Sequence, residues 1–202
     1  MPSMPRCTNR RMPPADPWLD HLTNMLAELE EYLLSPELFW PLGSRNPAIP
    51  EDRLTLGNLL LSLDQLNALR QNWDIHAETN FRKLELIWEQ SLEKWKSAIV
   101  KKAEQEIRSR MNLWTAYLQD LDEGQAGQFD YRREVRNRVI LERLFDLDVL
   151  REAWEVELQS ADRLHRSLVE PSEFIWSEPL QSQYPRESFW FLYRMPRKKD
   201  RF

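Results

Sequence analysis

Three histidines, His21, His76 and His165, are the residues of this 202-residue chain best suited to hold a metal or move a proton near neutral pH. A carboxylate-bridged di-metal site in a helical protein needs Glu-x-x-His pairs from two helices facing one interior. No such pair occurs. The nearest approach is Asp162-x-x-His165, which sets a carboxylate and an imidazole on one helix face about one turn apart. The plainer reading is that His165 flanks an apolar stripe while Asp162 pairs with Arg166 at i+4. Carboxylate pairs at helical spacing, such as Glu85 with Glu89 or Glu28 with Glu31, are unspecific in a chain with 33 acidic residues. The single cysteine, Cys7, has no partner for an intramolecular disulfide and no neighbouring histidine to activate it, which fits a reducing compartment. There is no glycine-rich phosphate loop and no G-x-S-x-G elbow. These residues point away from an enzyme and imply no cofactor.

Aromatic and basic residues offer binding chemistry instead. Of nine tryptophans, Trp88, Trp95, Trp114 and Trp154 fall on apolar helical stripes and read as core, leaving Trp18, Trp40, Trp73, Trp176 and Trp190. Near the end, Phe189, Trp190, Phe191, Leu192 and Tyr193 are contiguous, and one helix face cannot bury five consecutive side chains. Part of that cluster needs a second surface, either the chain's own bundle or a partner. Phe189, Trp190, Phe191, Tyr193 and Trp40 are therefore the candidate partner-binding residues. Basic residues cluster at Arg132, Arg133, Arg136 and Arg138, at Lys94, Lys96, Lys101 and Lys102, and in a tail with Arg194, Arg197, Lys198, Lys199 and Arg201. Arg197, Lys198, Lys199 and Arg201 are the candidate phosphate contacts. The net charge of −5 and the acidic residues interleaved along the chain oppose a nucleic-acid footprint.

The elements that position these residues follow from proline. All thirteen prolines lie at or before Pro50 or at or after Pro171, so the intervening stretch reads as helix. Gly124 and Gly127 interrupt it, which predicts a long antiparallel helical hairpin. The first arm carries apolar residues from Ala77 through Phe81, Trp88, Ile107, Trp114 and Leu121 in steps of three or four. The second starts behind Asp130 as N-cap and runs through Ile140, Leu144, Trp154 and Leu164. The expected helices span 17–35, 55–72, 74–122 and 130–169, with a break near Asn72-Trp73-Asp74 left open. The expectation is an all-α, elongated bundle: a disordered tail over 1–15, one helical domain over 16–193 that ends in an aromatic strap, and a basic tail over 194–202. Unbroken, the first arm would be roughly 73 Å long at 1.5 Å per residue, making the molecule a rod. Exposed charge pairs are expected at Glu78 with Arg82, Glu104 with Arg108, Glu106 with Arg110, Glu134 with Arg138 and Arg151 with Glu155.

No apolar run approaches the roughly 20 residues of a membrane span. The first fifteen residues are broken by four prolines and lack a signal's apolar region, so the expected location is cytoplasmic. The leading functional expectation is a non-enzymatic interaction or scaffold protein, bound to a protein partner or to a second copy. An accessory nucleic-acid binder using its basic ends is the alternative, and a helical metalloenzyme using its histidines is the second.

Overall fold

The computed structural model describes residues 15–43, 53–147, 149 and 151–197. The first helical stretch is two helices, α1 (Ala15–Ala27) and α2 (Leu29–Leu34), rather than one over 17–35. The interruption is Glu28, with φ −96° and ψ 0°. Its carboxylate accepts from Trp40 Nε1 at 2.7 Å and from the Gly43 N–H at 3.1 Å, so the break faces the proline-rich segment that folds back on it. Ser35 ends α2, and the Lys102 ammonium donates to the carbonyls of Ser35 and Glu37 just past it. Helix C-termini favour such a cation. Trp40–Pro41 (β1) pairs antiparallel with Arg53–Leu54 (β2) and leads into α3 (Leu56–Leu69), capped by the Thr55 side chain.

Helix α3 is the hub. Leu56, Leu59, Leu61, Leu63, Leu66 and Leu69 are buried around its whole circumference, together with Asn58, Ser62 and Asp64. A helix buried on every side lies inside a bundle, and here it packs against α1, against the hairpin and against the C-terminal segment. Gly57 permits the closest of these approaches. A Cβ there would sit 2.3 Å from Ile140 Cγ2 and 2.7 Å from Glu106 Oε1, and the Gly57 N–H donates to Glu106 Oε2 at 2.9 Å. Gly57→Ala is therefore expected to cost about 2–3 kcal/mol by overpacking, read as a lower urea midpoint. A midpoint equal to wild type would mean that α3 and α6 are not in this contact.

After α3, a short 3-10 turn (Arg70–Asn72) and extended Trp73 break the chain, and Asp74 caps α4 (Ile75–Lys94) by accepting from Ala77 N at 2.8 Å. Trp95, at φ −114° and ψ 21°, then separates α4 from α5 (Lys96–Glu123). The expected single arm over 74–122 is thus two helices, about 30 Å and about 42 Å long at 1.5 Å per residue. Gly124 takes the left-handed conformation, φ 79°, that lets α5 end and the chain reverse. Helix α6 (Gln128–Phe145) begins behind Gly127, so the expected cap is one turn late. Asp130 lies inside the first turn, and its carboxylate accepts from the Gly127 N–H.

The second arm is also divided. Helix α6 ends at Phe145, a 3-10 turn covers Arg151–Trp154, and α7 (Glu155–Leu168) follows. Packed against α5 beside α6, it makes the hairpin three-stranded. Val169–Pro171 (β3) then pairs with Arg194–Pro196 (β4), which makes the start of the expected basic tail an ordered strand. The architecture is an all-α bundle with two very short β-ladders. Among the described residues no helix is long and apolar enough to cross a membrane.

Several charges expected on solvated faces are interior. Glu106 and Arg110 do pair, at 3.0 Å, but are buried, with Asn137 and Asn58 taking the remaining guanidinium bonds. Arg138 bonds Asp162 and Glu142 rather than Glu134, and Arg151 bonds Glu142 rather than Glu155. The i,i+4 rule identifies neighbours on an isolated helix but not which of them is chosen: Arg138 takes Glu142 one turn further along α6 together with Asp162 from the adjacent α7, and Arg151 reaches back to the same Glu142 on α6. Glu78 with Arg82 is found as expected, at 2.7 Å.

Candidate functional site: an arginine-rimmed aromatic cleft

The contiguous aromatic residues are consumed by the fold. Phe189, Phe191, Leu192 and Tyr193 are buried, each 8% exposed or less. Their segment is tied down by Ser172 N–H to Tyr193 O and Ile175 N–H to Leu192 O, both 3.0 Å. Consecutive side chains can be buried because the backbone there is a 3-10 turn running into β4, with neighbours on several sides. Trp190 is half-buried against His165, with the Arg166 guanidinium 4.4 Å from the centre of its ring. Trp40 is half-buried, its indole N–H spent on Glu28. Arg197 is exposed and its backbone N–H bonds Leu168 O, whereas Lys198, Lys199 and Arg201 lie outside the described residues.

The histidines sit on three different helices. His76 is exposed near the start of α4, 3.3 Å from Asn80 Nδ2. His21 and His165 are buried in α1 and α7. Among the described residues no three His, Cys, Asp or Glu side chains are gathered as a metal would require. Asp162 does not pair with Arg166. It receives a two-pronged bond from Arg138, 2.9 and 3.0 Å, which leaves Arg166 to stack on Trp190.

A different set of residues is brought together where α1, α3, α6 and the C-terminal segment meet. They enclose a half-open cleft of about 370 Å³. Helix α1 contributes Trp18 and His21, one turn apart on its inner side. Helix α3 contributes Asn58, Leu61, Ser62 and Gln65, which recur at the three- and four-residue intervals of a single face. Arg132, Arg133 and Arg136 of α6 and Trp176, Leu180 and Tyr184 of the C-terminal segment complete the lining.

Each wall is held by bonds made within the chain. The Trp176 indole N–H donates to the Arg132 carbonyl at 3.0 Å, clamping the C-terminal segment to α6. The Tyr184 hydroxyl donates to Asp64 Oδ2 at 2.8 Å, and Arg143 grips the same carboxylate with two bonds of 2.9 Å while also donating to the Gln183 carbonyl. Burial raises the Asp64 carboxyl above its ordinary pKa, and the Arg143 charge opposes that shift. Tyr184 meets Trp176 edge to face at 5.3 Å. Arg136 Nη2 donates to Asn58 Oδ1 at 3.1 Å, fixing one guanidinium at the mouth, and the Ser62 hydroxyl turns back to the Asn58 carbonyl. Arg133 is shared with Glu134 at 2.9 Å and Asp130 at 3.9 Å. Arg132 is exposed and has no ion pair among the described residues.

Chemically, the cleft combines the partly buried apolar surfaces of Trp18, Trp176 and Leu180 and the more deeply buried polar groups of His21, Asn58 and Ser62 with arginine side chains of α6. Such a combination binds ligands with an apolar body and a polar edge. Arg132, Arg133, Arg136, Trp18 and Trp176 were visible in the sequence as a basic cluster and as tryptophans off the main stripes. Nothing in their spacing along the chain joins residues 18, 58–65, 132–136 and 176–184, because four elements supply them. Comparison of the chain with protein-family models, with curated proteins and with solved structures finds no match.

Proposed function

We propose that this chain is a non-enzymatic interaction protein whose recognition site is the arginine-rimmed cleft. The observation that carries this reading is the cleft's construction: apolar and aromatic walls fixed by internal hydrogen bonds, open to solvent, with guanidinium groups at the mouth. A preformed concave site loses little conformational entropy when occupied, which is what a binding surface needs. The test is affinity capture from the protein's own cells after nuclease treatment, using wild type beside Gln65→Trp. Gln65 lies half-exposed on α3, so the added indole fills the cleft without entering the core. A near-stoichiometric protein captured by wild type and lost from Gln65→Trp supports the reading. A partner held equally by both proteins moves the interface elsewhere, and capture of nucleic acid alone would favour the basic-ended accessory binder.

Self-association is a second reading, favoured by the outer flank of α4. Its inner face buries Ala77, Phe81, Leu84 and Trp88, yet Ile75 is 83% exposed and Leu86 53%. These two are eleven residues apart, about three turns, and so share a face. Isolated exposed apolar residues are ordinary, and Thr79 and Arg82 lie between these two on the same face, so a seam here would be two apolar contacts flanking polar ones rather than a continuous line. If the chain pairs there, sedimentation gives a dimer for wild type and a monomer for Ile75→Lys with Leu86→Lys. A monomeric wild type at 100 µM, on the order of the weakest useful affinities, removes this reading.

A further inference from the structure

We infer that the tip of the helical hairpin is a self-pairing surface, where two copies of this chain meet about a two-fold axis and each places Phe129 in a groove of the other. This surface is separate from the cleft and from the outer flank of α4, and it stands whether or not either of those is occupied.

Phe129 comes first. It lies in the first turn of α6 and is 97% exposed, more than any other large apolar side chain among the described residues. Single exposed apolar residues are ordinary, so exposure by itself assigns nothing. What singles out Phe129 is the groove it borders, about 680 Å³, where the ends of α5 and α7, the start of α6 and the end of β4 meet. In that lining Leu121 and Pro196 are buried and Ala126 and Leu168 half-buried, so the groove is apolar inside while Phe129 stands out from it. Its shape is fastened within the chain. Gln128 Nε2 donates to the Pro196 carbonyl at 2.8 Å, and the Arg197 N–H donates to the Leu168 carbonyl at 3.0 Å.

The occupant follows from the two shapes together. A patch that carries both a projecting ring and an apolar groove is complementary to itself, and a two-fold axis satisfies both copies at once. An unrelated apolar anchor would fill the groove and leave Phe129 in water, whereas a second copy buries both. Charge agrees with this choice. Asp120 and Glu123 are exposed in the last turn of α5, which holds no basic residue although the negative end of the helix dipole lies there. Arg197, in the groove's lining, is exposed and makes no ion pair among the described residues. The same axis can set each Arg197 against the α5 end of the other copy. The contact is far smaller than the roughly 20–30 residues a side of a standard interface, so the dimer is weak, with a dissociation constant on the order of 10–100 µM.

The test is sedimentation equilibrium of the full chain from about 1 to about 300 µM, which brackets that constant. Wild type should pass from monomer to dimer, and high salt should weaken the dimer through Arg197. Phe129→Glu and Ser167→Trp should each raise the dissociation constant at least about tenfold. The first removes the projecting ring, and the second fills the groove from an exposed position on α7. Neither position is in the core, and a carboxylate in the first turn of α6 suits the helix dipole, so both variants should keep the wild-type melting temperature. Ile75→Lys with Leu86→Lys should dimerise as wild type does. A wild type that stays monomeric throughout overturns the proposal, as does a dimer unchanged by Phe129→Glu or one lost only in the α4 variant. Assembly beyond the dimer would mean a head-to-tail contact and overturns the two-fold arrangement. A monomeric wild type that pairs only once residues 198–202 are deleted gives the groove to that segment. One that captures a different cellular protein through Phe129 gives it to that partner, and either result overturns self-pairing.

Discussion

Acidification from pH 7 to pH 5 is expected to remove about 2 kcal/mol of stability through His165 alone. This imidazole is fully buried in α7, edge to face with Trp114 at 4.9 Å, with Trp190 at 4.9 Å on another side. Tyr131 Oη lies 2.9 Å from Nε2 and 2.7 Å from the Phe191 carbonyl. The tyrosine has one proton and the carbonyl can only accept, so the hydroxyl donates to Phe191 and Nε2–H donates to the hydroxyl. Nδ1 is then a bare lone pair, buried and without a hydrogen-bond partner among the described residues. Burial, reinforced by the positive charges of Arg138, Arg166 and Arg194, pushes the histidine down to about 3. For a base whose pKa falls on folding, the unfolded chain binds the proton first. The contribution is whole above the unfolded value of about 6.5, is lost as pH falls through that value, and stops falling only near the folded one.

The measurement is urea unfolding at pH 7 and pH 5 for wild type and for His165→Gln, which keeps an N–H donor and cannot titrate. The variant's loss across that interval should be smaller by about 2 kcal/mol, whatever its stability at pH 7. Equal slopes would mean that His165 already accepts its proton in the folded protein at pH 5. Comparing slopes removes the carboxylates, which titrate in both proteins.

Arg138→Ala should destabilise by about 3–5 kcal/mol, the range for stranding a buried charge. The Arg138 side chain is 3% exposed, donates twice to Asp162 on α7 and once to Glu142 on its own helix, and lies 4.7 Å over the Phe191 ring of the C-terminal segment. One guanidinium thus joins three elements. Burial alone would raise Glu142, but hydrogen bonds from Arg151 and Arg138 and the charge of Arg138 prevail and hold it below its ordinary value. Glu142 retains Arg151 when Arg138 is cut back, whereas Asp162 loses both of its bonds. Adding Asp162→Leu to Arg138→Met should consequently recover much of the loss, because a buried ion pair replaced by apolar groups is often neutral. If the single variant loses less than about 1 kcal/mol, the site is wet and the pair behaves as a surface bridge.

These two groups also mark where sequence reasoning stops. Helical periodicity identified the core correctly at Phe81, Trp88, Ile107, Trp114 and Leu144, all buried, because an apolar side chain at every third or fourth position has only one energetically acceptable face. The same reasoning assigned Glu106, Arg110 and Arg138 to solvent. Charge at helical spacing looks identical whether its partner is water or another helix, and only packing distinguishes them. The kinks at Glu28 and Trp95 were equally hidden, since neither residue is a helix breaker. At Glu28 the turn coincides with bonds to Trp40 and Gly43, partners twelve and fifteen residues away.

The sequence by itself determined the all-α class, the reversal at Gly124 and the main apolar stripes, because prolines, glycines and periodicity act within a few residues of the chain. The tertiary structure alone decided that the aromatic run from Phe189 to Tyr193 turns inward, that Glu106, Arg110 and Arg138 are interior, and that two tryptophans and three arginines from distant segments share one cleft. Those outcomes depend on which elements lie side by side, and that is fixed by the summed packing of many residues rather than by any local pattern.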